Sequence, residues 1–147
     1  VIRRFAAAAV LILMWTGHPS SQIVPFVVVV NKANPVRELT VVELRSIFLK
    51  QSRMWPHAEP MVPVDWDSTS HMRRVFSRMV MNRTVREMAD YWVQQSMTQG
   101  VAPPSTHRSA RAVLRFVASV PGAISYVPPS DVDGTVNVVK VSGLRWR

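Results

Sequence analysis

Apolar residues fall into short runs and helical stripes that alternate along the chain. Phe26 to Val30 is an unbroken aromatic and β-branched run ending at Asn31, which suits a strand covered on both faces. Asn34-Pro35 breaks the chain. Thr40, with Glu43 three residues on, forms a capping-box pattern ahead of the apolar stripe Val41, Leu44, Ile47 and Phe48. That predicts a helix ending near Lys50. Trp55-Pro56 through Glu59-Pro60 reads as loop, and Met61 to Asp65 as a second short strand. Asp67-Ser68-Thr69-Ser70 is a polar turn placed to cap a helix with Met72, Val75, Phe76, Met79 and Val80 inward. Thr84 opens another helix, with Glu87 at the box position and Val85, Met88, Ala89, Trp92 and Val93 on its apolar side. Gly100 to Pro104 is a turn. A helix from about Ser109 carries Ala112, Val113, Phe116 and Val117 and stops at Pro121-Gly122. Ala123 to Val127 is a strand, Pro128-Pro129 a break, and Thr135 to Val141 an alternating last strand. Strands interleaved with helices predict a single small α/β domain with a mixed sheet flanked by helices.

The first residues follow a different pattern. Arg3 and Arg4 precede an apolar run from Phe5 to Trp15, then Thr16-Gly17-His18-Pro19-Ser20-Ser21. Charge, a short apolar helix and a polar exit with small residues is the order of a secretory signal. The run is about half of the ~20 residues a membrane span needs. The expectation is a signal peptide over 1–22, cleaved near Ser21 or Gln22, and a domain over 23–147 that is periplasmic or secreted.

Composition narrows the chemistry. The 147 residues are 48% hydrophobic, enough for one modest core. There is no cysteine, which excludes disulfides, thiolate metal sites, a cysteine nucleophile and a lipid-bearing cysteine. A net charge of +9 attracts anions of any kind. His18, His57, His71 and His107 form no helical i,i+4 pair, so no metal site is read. Trp55, Trp66, Trp92 and Tyr91 read as core and not as a stacking platform, and no nucleic-acid partner is expected.

Three stretches, in order, resemble the phosphate-binding proteins of ABC importers. Leu39-Thr40-Val41-Val42-Glu43-Leu44-Arg45-Ser46-Ile47-Phe48-Leu49, followed by Trp55, is similar to that family's Leu-Ser-x-x-x-Leu-x-x-Ile-Phe-Leu-Gly…Trp stretch. Val62-Pro63-Val64-Asp65 through Ser70 to Phe76 falls where the family has a strand, Asp-Gly-Ser-Gly-Thr and a helix. Pro121-Gly122-Ala123-Ile124-Ser125-Tyr126-Val127 is close to its Pro-Gly-Ala-Ile-Gly-Tyr-Val. Tyr91-Trp92, Gly100 and Pro103-Pro104 match an element of short exported relatives. Aligned on Phe76, Ser70 falls on the motif serine and Ser68 where the aspartate stands. Thr69 and His71 replace the two glycines, Met72 replaces the threonine, and Asp67 is displaced by one residue.

The resemblance implies one lobe of a type II periplasmic binding protein. It further implies an exported solute-binding protein for phosphate or another small oxyanion, associated with ABC-type phosphate uptake, with no catalysis and no cofactor. Its partners would be the oxyanion and a membrane transporter or a second lobe from another chain. The anion site would be Ser68, Thr69, Ser70, Arg73 and Asp67. Free N–H groups and the dipole at a helix N-terminus favour an anion there. Ser68, Thr69 and Ser70 add hydroxyl donors, and Arg73 or Arg74 a fork of N–H groups. Asp67 or Asp65 would accept a proton from monoprotonated phosphate, separating it from sulfate. Equally, Ser68 or Ser70 is a plain helix cap and Asp67 a turn residue. Asn31-Lys32-Ala33-Asn34, at a strand's carboxyl end, reads first as a turn. Two rival functions stay open: a periplasmic interaction or sensory module of the same fold without ligand, and a small hydrolase using Ser70 and His71.

Overall fold

The computed structural model describes residues 25–144, so the signal segment expected over 1–22 lies outside the described residues. Six strands form one mixed sheet: β1 (Val27–Asn31), β2 (Glu38–Thr40), β3 (Val62–Trp66), β4 (Ser105–His107), β5 (Ala123–Val127) and β6 (Val136–Ser142), in the order β2-β6-β1-β5-β3-β4. Among the described residues four α-helices join them, α1 (Val41–Phe48), α2 (His71–Phe76) running on as a π-helical segment (Ser77–Met81), α3 (Val85–Gln99) and α4 (Ala110–Ser119), with a short 3-10 turn at Pro129–Asp131. The expected single α/β domain with a mixed sheet is what the chain forms.

Central β1 and β5 pair with each other, Val28 opposite Tyr126 and Val30 opposite Ile124. Helices cover both their faces, which is why their sequences are mostly apolar without alternation, and buried Ser125 donates to the Val64 carbonyl (2.8 Å). On one face Tyr126 stacks on Phe76, ring centroids 3.8 Å apart, and Phe26 meets both rings edge-on. Phe48 of α1 closes the cluster against Phe76. Aromatic contacts of this kind contribute about 0.5–1.5 kcal/mol each beyond their buried area. α4 covers the other face with Val113, Leu114 and Val117 buried. Trp55, Trp66 and Trp92 are core residues, as their sequence setting suggests, while Tyr91 is half-buried.

Local signals place the helix starts. Thr40 and Thr84 form complete capping boxes with Glu43 and Glu87, and Ser70 and Ser109 cap α2 and α4. The π-helical segment ends at Asn82 in the left-handed conformation, φ 54°, which asparagine tolerates. Gly100, φ 66°, ends α3 in the same way. The short edge strands β2 and β4 had no sequence pattern of their own. Each is held by parallel pairing to a longer strand, β2 to β6 and β4 to β3.

Candidate functional site

Strand directions decide which loops share an end of the sheet. β1 runs antiparallel to β5 and β6, β3 runs parallel to β5 and β4, and β2 runs parallel to β6. The carboxyl ends of β2, β3, β4, β5 and β6 therefore gather at one end, where open α/β sheets bind ligands. The turn Asp67–Ser70 follows β3 and lies there. So do the starts of α1, α2 and α4, each capped by a hydroxyl: Thr40, Ser70 and Ser109. The Asn31–Asn34 loop follows β1 and lies at the opposite end, so it shares no ligand with that turn. Asn31 there donates from Nδ2 to the carbonyls of Val117 (2.8 Å) and Ala118 (3.0 Å), closing the C-terminal end of α4.

The turn is internally bonded. Asp67 Oδ1 accepts from the Thr69 hydroxyl (2.7 Å) and N–H (3.1 Å), and the Ser70 N–H donates to the Asp67 carbonyl (2.9 Å). Those two Thr69 bonds, with a smaller pull from Arg108, hold the Asp67 carboxyl below the usual carboxylate range. The Ser70 hydroxyl accepts from the Met72 N–H at 3.1 Å, so it is a helix cap, and its own hydrogen stays free to donate. Ser68 and Thr69 are exposed.

Two arginines flank the turn at the surface. Arg74 donates to the Thr69 carbonyl at 2.8 Å. Arg108 sits 3.6 Å from the Asp67 carboxylate with its side chain 90% exposed. It reaches the turn because β4 pairs beside β3 and the Asp67 N–H bonds the His107 carbonyl (2.9 Å). No sequence signal marked Arg108, since Ser105-Thr106-His107 has neither apolar alternation nor β-branched density.

Arg73 points elsewhere. It is 8% exposed and forms a buried ion pair with Asp65 beneath the turn. Asp65 also accepts from the Tyr126 hydroxyl (2.5 Å) and from the Trp66 N–H (2.8 Å). Burial draws the Arg73 pKa below its ordinary value and pushes that of Tyr126 well up, with Arg73 opposing the rise. The structure thus brings Asp67, Ser68, Thr69, Ser70, Arg74 and Arg108 together at the surface. It places Arg73 and Asp65 under them as a mutually neutralised pair. Ser70 and His71 share no hydrogen bond among the described residues, and neither groove flanking α3 touches the turn.

This arrangement of sheet and turn can be set beside solved structures. The chain has a phosphate-binding-protein-like fold. It superposes on an ABC-type phosphate transport receptor from Vibrio cholerae with a TM-score of 0.66 and 20% identity, over 82% of this chain and 47% of that one. PstS from Borrelia burgdorferi gives 0.63 and 12% identity, over 84% and 49%. A phosphate-binding protein from Stenotrophomonas maltophilia gives 0.59 and 19%, over 81% and 39%. The chain thus spans about half the length of the solved proteins it matches or less, as expected of one lobe. No protein-family model matches the chain, and no curated protein matches it in sequence. No helix among the described residues is long and apolar enough to cross a membrane.

Proposed function

We propose that this chain is an exported binding protein for phosphate or another small oxyanion, acting with an ABC-type phosphate importer and without catalysis. The observation that carries this reading is the turn itself. A hydroxyl-rich helix N-terminus lies between Arg74 and Arg108 at the carboxyl ends of the parallel strands of a phosphate-binding-protein-like lobe.

In this reading Ser68 and Ser70 donate their hydroxyl hydrogens to the anion, and Arg74 and Arg108 supply charge and N–H donors. Thr69 holds Asp67, whose carboxylate accepts the proton of monoprotonated phosphate and repels an unprotonated oxygen. Arg73 contributes from below by neutralising Asp65, so that no buried negative charge opposes the ligand. A second lobe closing on this one would cover the anion. The segment over 1–22 directs export.

The test is a phosphate titration followed by amide NMR. The Ser68, Thr69 and Ser70 signals should shift together and saturate, and sulfate should shift them less. A spectrum that does not change at these residues ends the phosphate reading. Export is tested separately, by the mass of the product recovered from the periplasm of a Gram-negative host.

A further inference from the structure

α4 turns an arginine face to solvent. Arg111 and Arg115 stand one turn apart on its exposed side, Ala118 and Ser119 continue the stripe, and Arg108 precedes the Ser109 cap. The chain holds no carboxylate between Asp90 and Asp131. Among the described residues these three arginines make a single ion-pair approach, that of Arg108 to Asp67 at 3.6 Å. Arg108 and Arg111 also crowd the amino end of α4, where the helix dipole disfavours cations. Like charges on one helix face repel. The arrangement therefore costs stability, which among the described residues only the Arg108–Asp67 approach offsets.

We propose that this face docks an acidic surface of a different protein. Guanidinium groups pair with carboxylates through two parallel N–H bonds, a geometry lysine does not offer. A lipid surface fits less well, because interfacial helices insert apolar side chains beside their cations. The outer face of α4 has no large one, and the exposed large apolar residues Val42, Met54, Val93, Met97 and Val138 lie elsewhere among the described residues. A second copy fits poorly too. Asp65 is paired with Arg73, and Glu43, Glu87, Asp67 and Asp133 accept bonds from their own caps and turns. What remains is scattered on a chain of net charge +9, which repels itself.

The full chain is titrated with labelled poly-L-glutamate and with phosphatidylglycerol vesicles, at low and at physiological salt. Arg111→Glu combined with Arg115→Glu should weaken poly-L-glutamate binding by about tenfold or more. Lys32→Glu combined with Arg86→Glu makes the same change of charge at exposed positions elsewhere, and should weaken it by less than about threefold. Arg111→Gln with Arg115→Gln, which keeps helix-forming side chains, should give an intermediate loss. Equal losses from the two glutamate pairs overturn the proposal, since the binding would then be generic to a basic protein. Vesicle binding as strong as poly-L-glutamate binding, and lost with the α4 pair, overturns it in favour of a membrane. Self-association abolished by the α4 pair overturns it in favour of a second copy. Arg111 and Arg115, which carry the test, lie outside the proposed anion site, so a failed phosphate titration leaves this inference standing.

Discussion

The Tyr126 hydroxyl has a buried carboxylate as its acceptor, and that makes the residue a reporter of alkaline pH. Its folded pKa lies above the ordinary 10.0, mainly through burial. Above pH ~10 the unfolded phenol loses its proton while the folded one keeps it, so the native state binds more protons and stability falls as pH rises. The contribution is complete below that pH. Tyr126→Phe should flatten this alkaline slope in thermal melts, and at pH 7 it should cost about 1–3 kcal/mol by leaving Asp65 short of a donor. An unchanged slope would assign the titration to another group. Ser70 offers a second test at this scale. As a cap its hydroxyl contributes about 1 kcal/mol, so Ser70→Ala should lower stability by that amount. If the hydroxyl also donates to the anion, the same variant should weaken phosphate binding as well. Melts and NMR titration on one sample separate the two roles. The sequence made the cap legible because capping is a contact between near neighbours. It did not show that Arg73 turns inward, because that depends on Asp65 lying across the helix–sheet interface, a contact the spacing of residues does not encode.

At the scale of elements, the Pro121-to-Val127 stretch shows why one motif was readable. Gly122 sits where β3 begins beside β5, and its carbonyl accepts from the Trp55 indole (3.0 Å) and the Val62 N–H (2.9 Å). A Cβ at this position would overlap the Pro60 carbonyl oxygen. Gly122→Ala must therefore push the Glu59-Pro60 loop away and loosen both bonds, costing about 1–3 kcal/mol as overpacking does elsewhere. Gly100→Ala meets no neighbouring atom and carries only the strain of a positive φ, 66°, about 1 kcal/mol. A larger drop in melting temperature for Gly122→Ala than for Gly100→Ala is the expected result, and the reverse order would contradict this account. Helices with caps and strands with long apolar runs were legible because local chemistry decides them. β2 and β4 were not, because three-residue edge strands exist only through their pairing partners. Missing β4 hid Arg108, since only that pairing carries it to the turn.

The whole molecule decides how tightly such a turn can hold an anion. Solved proteins of this fold run to about twice the length that this chain matches. A second lobe closing over a ligand excludes water and strengthens every hydrogen bond made to it. Here Ser68 and Thr69 are exposed and the Arg108 side chain is 90% exposed, so an anion between them stays hydrated and is screened over a Debye length of ~8 Å. Two of the donors such an anion would use, the Thr69 N–H and the Met72 N–H, already have acceptors within the chain. The full chain alone should therefore bind phosphate with a Kd near or above ~1 mM, equivalent to about −4 kcal/mol. The affinity should fall further as salt rises, because the arginines that attract the anion face solvent. Calorimetry and light scattering on the same preparation read affinity and assembly together. Millimolar affinity in a monomer fits an open lobe, and tightening on addition of a second protein would show that protein covering the anion. Nanomolar affinity in a preparation that stays monomeric would mean that this lobe encloses the anion by itself, which the exposed turn does not allow.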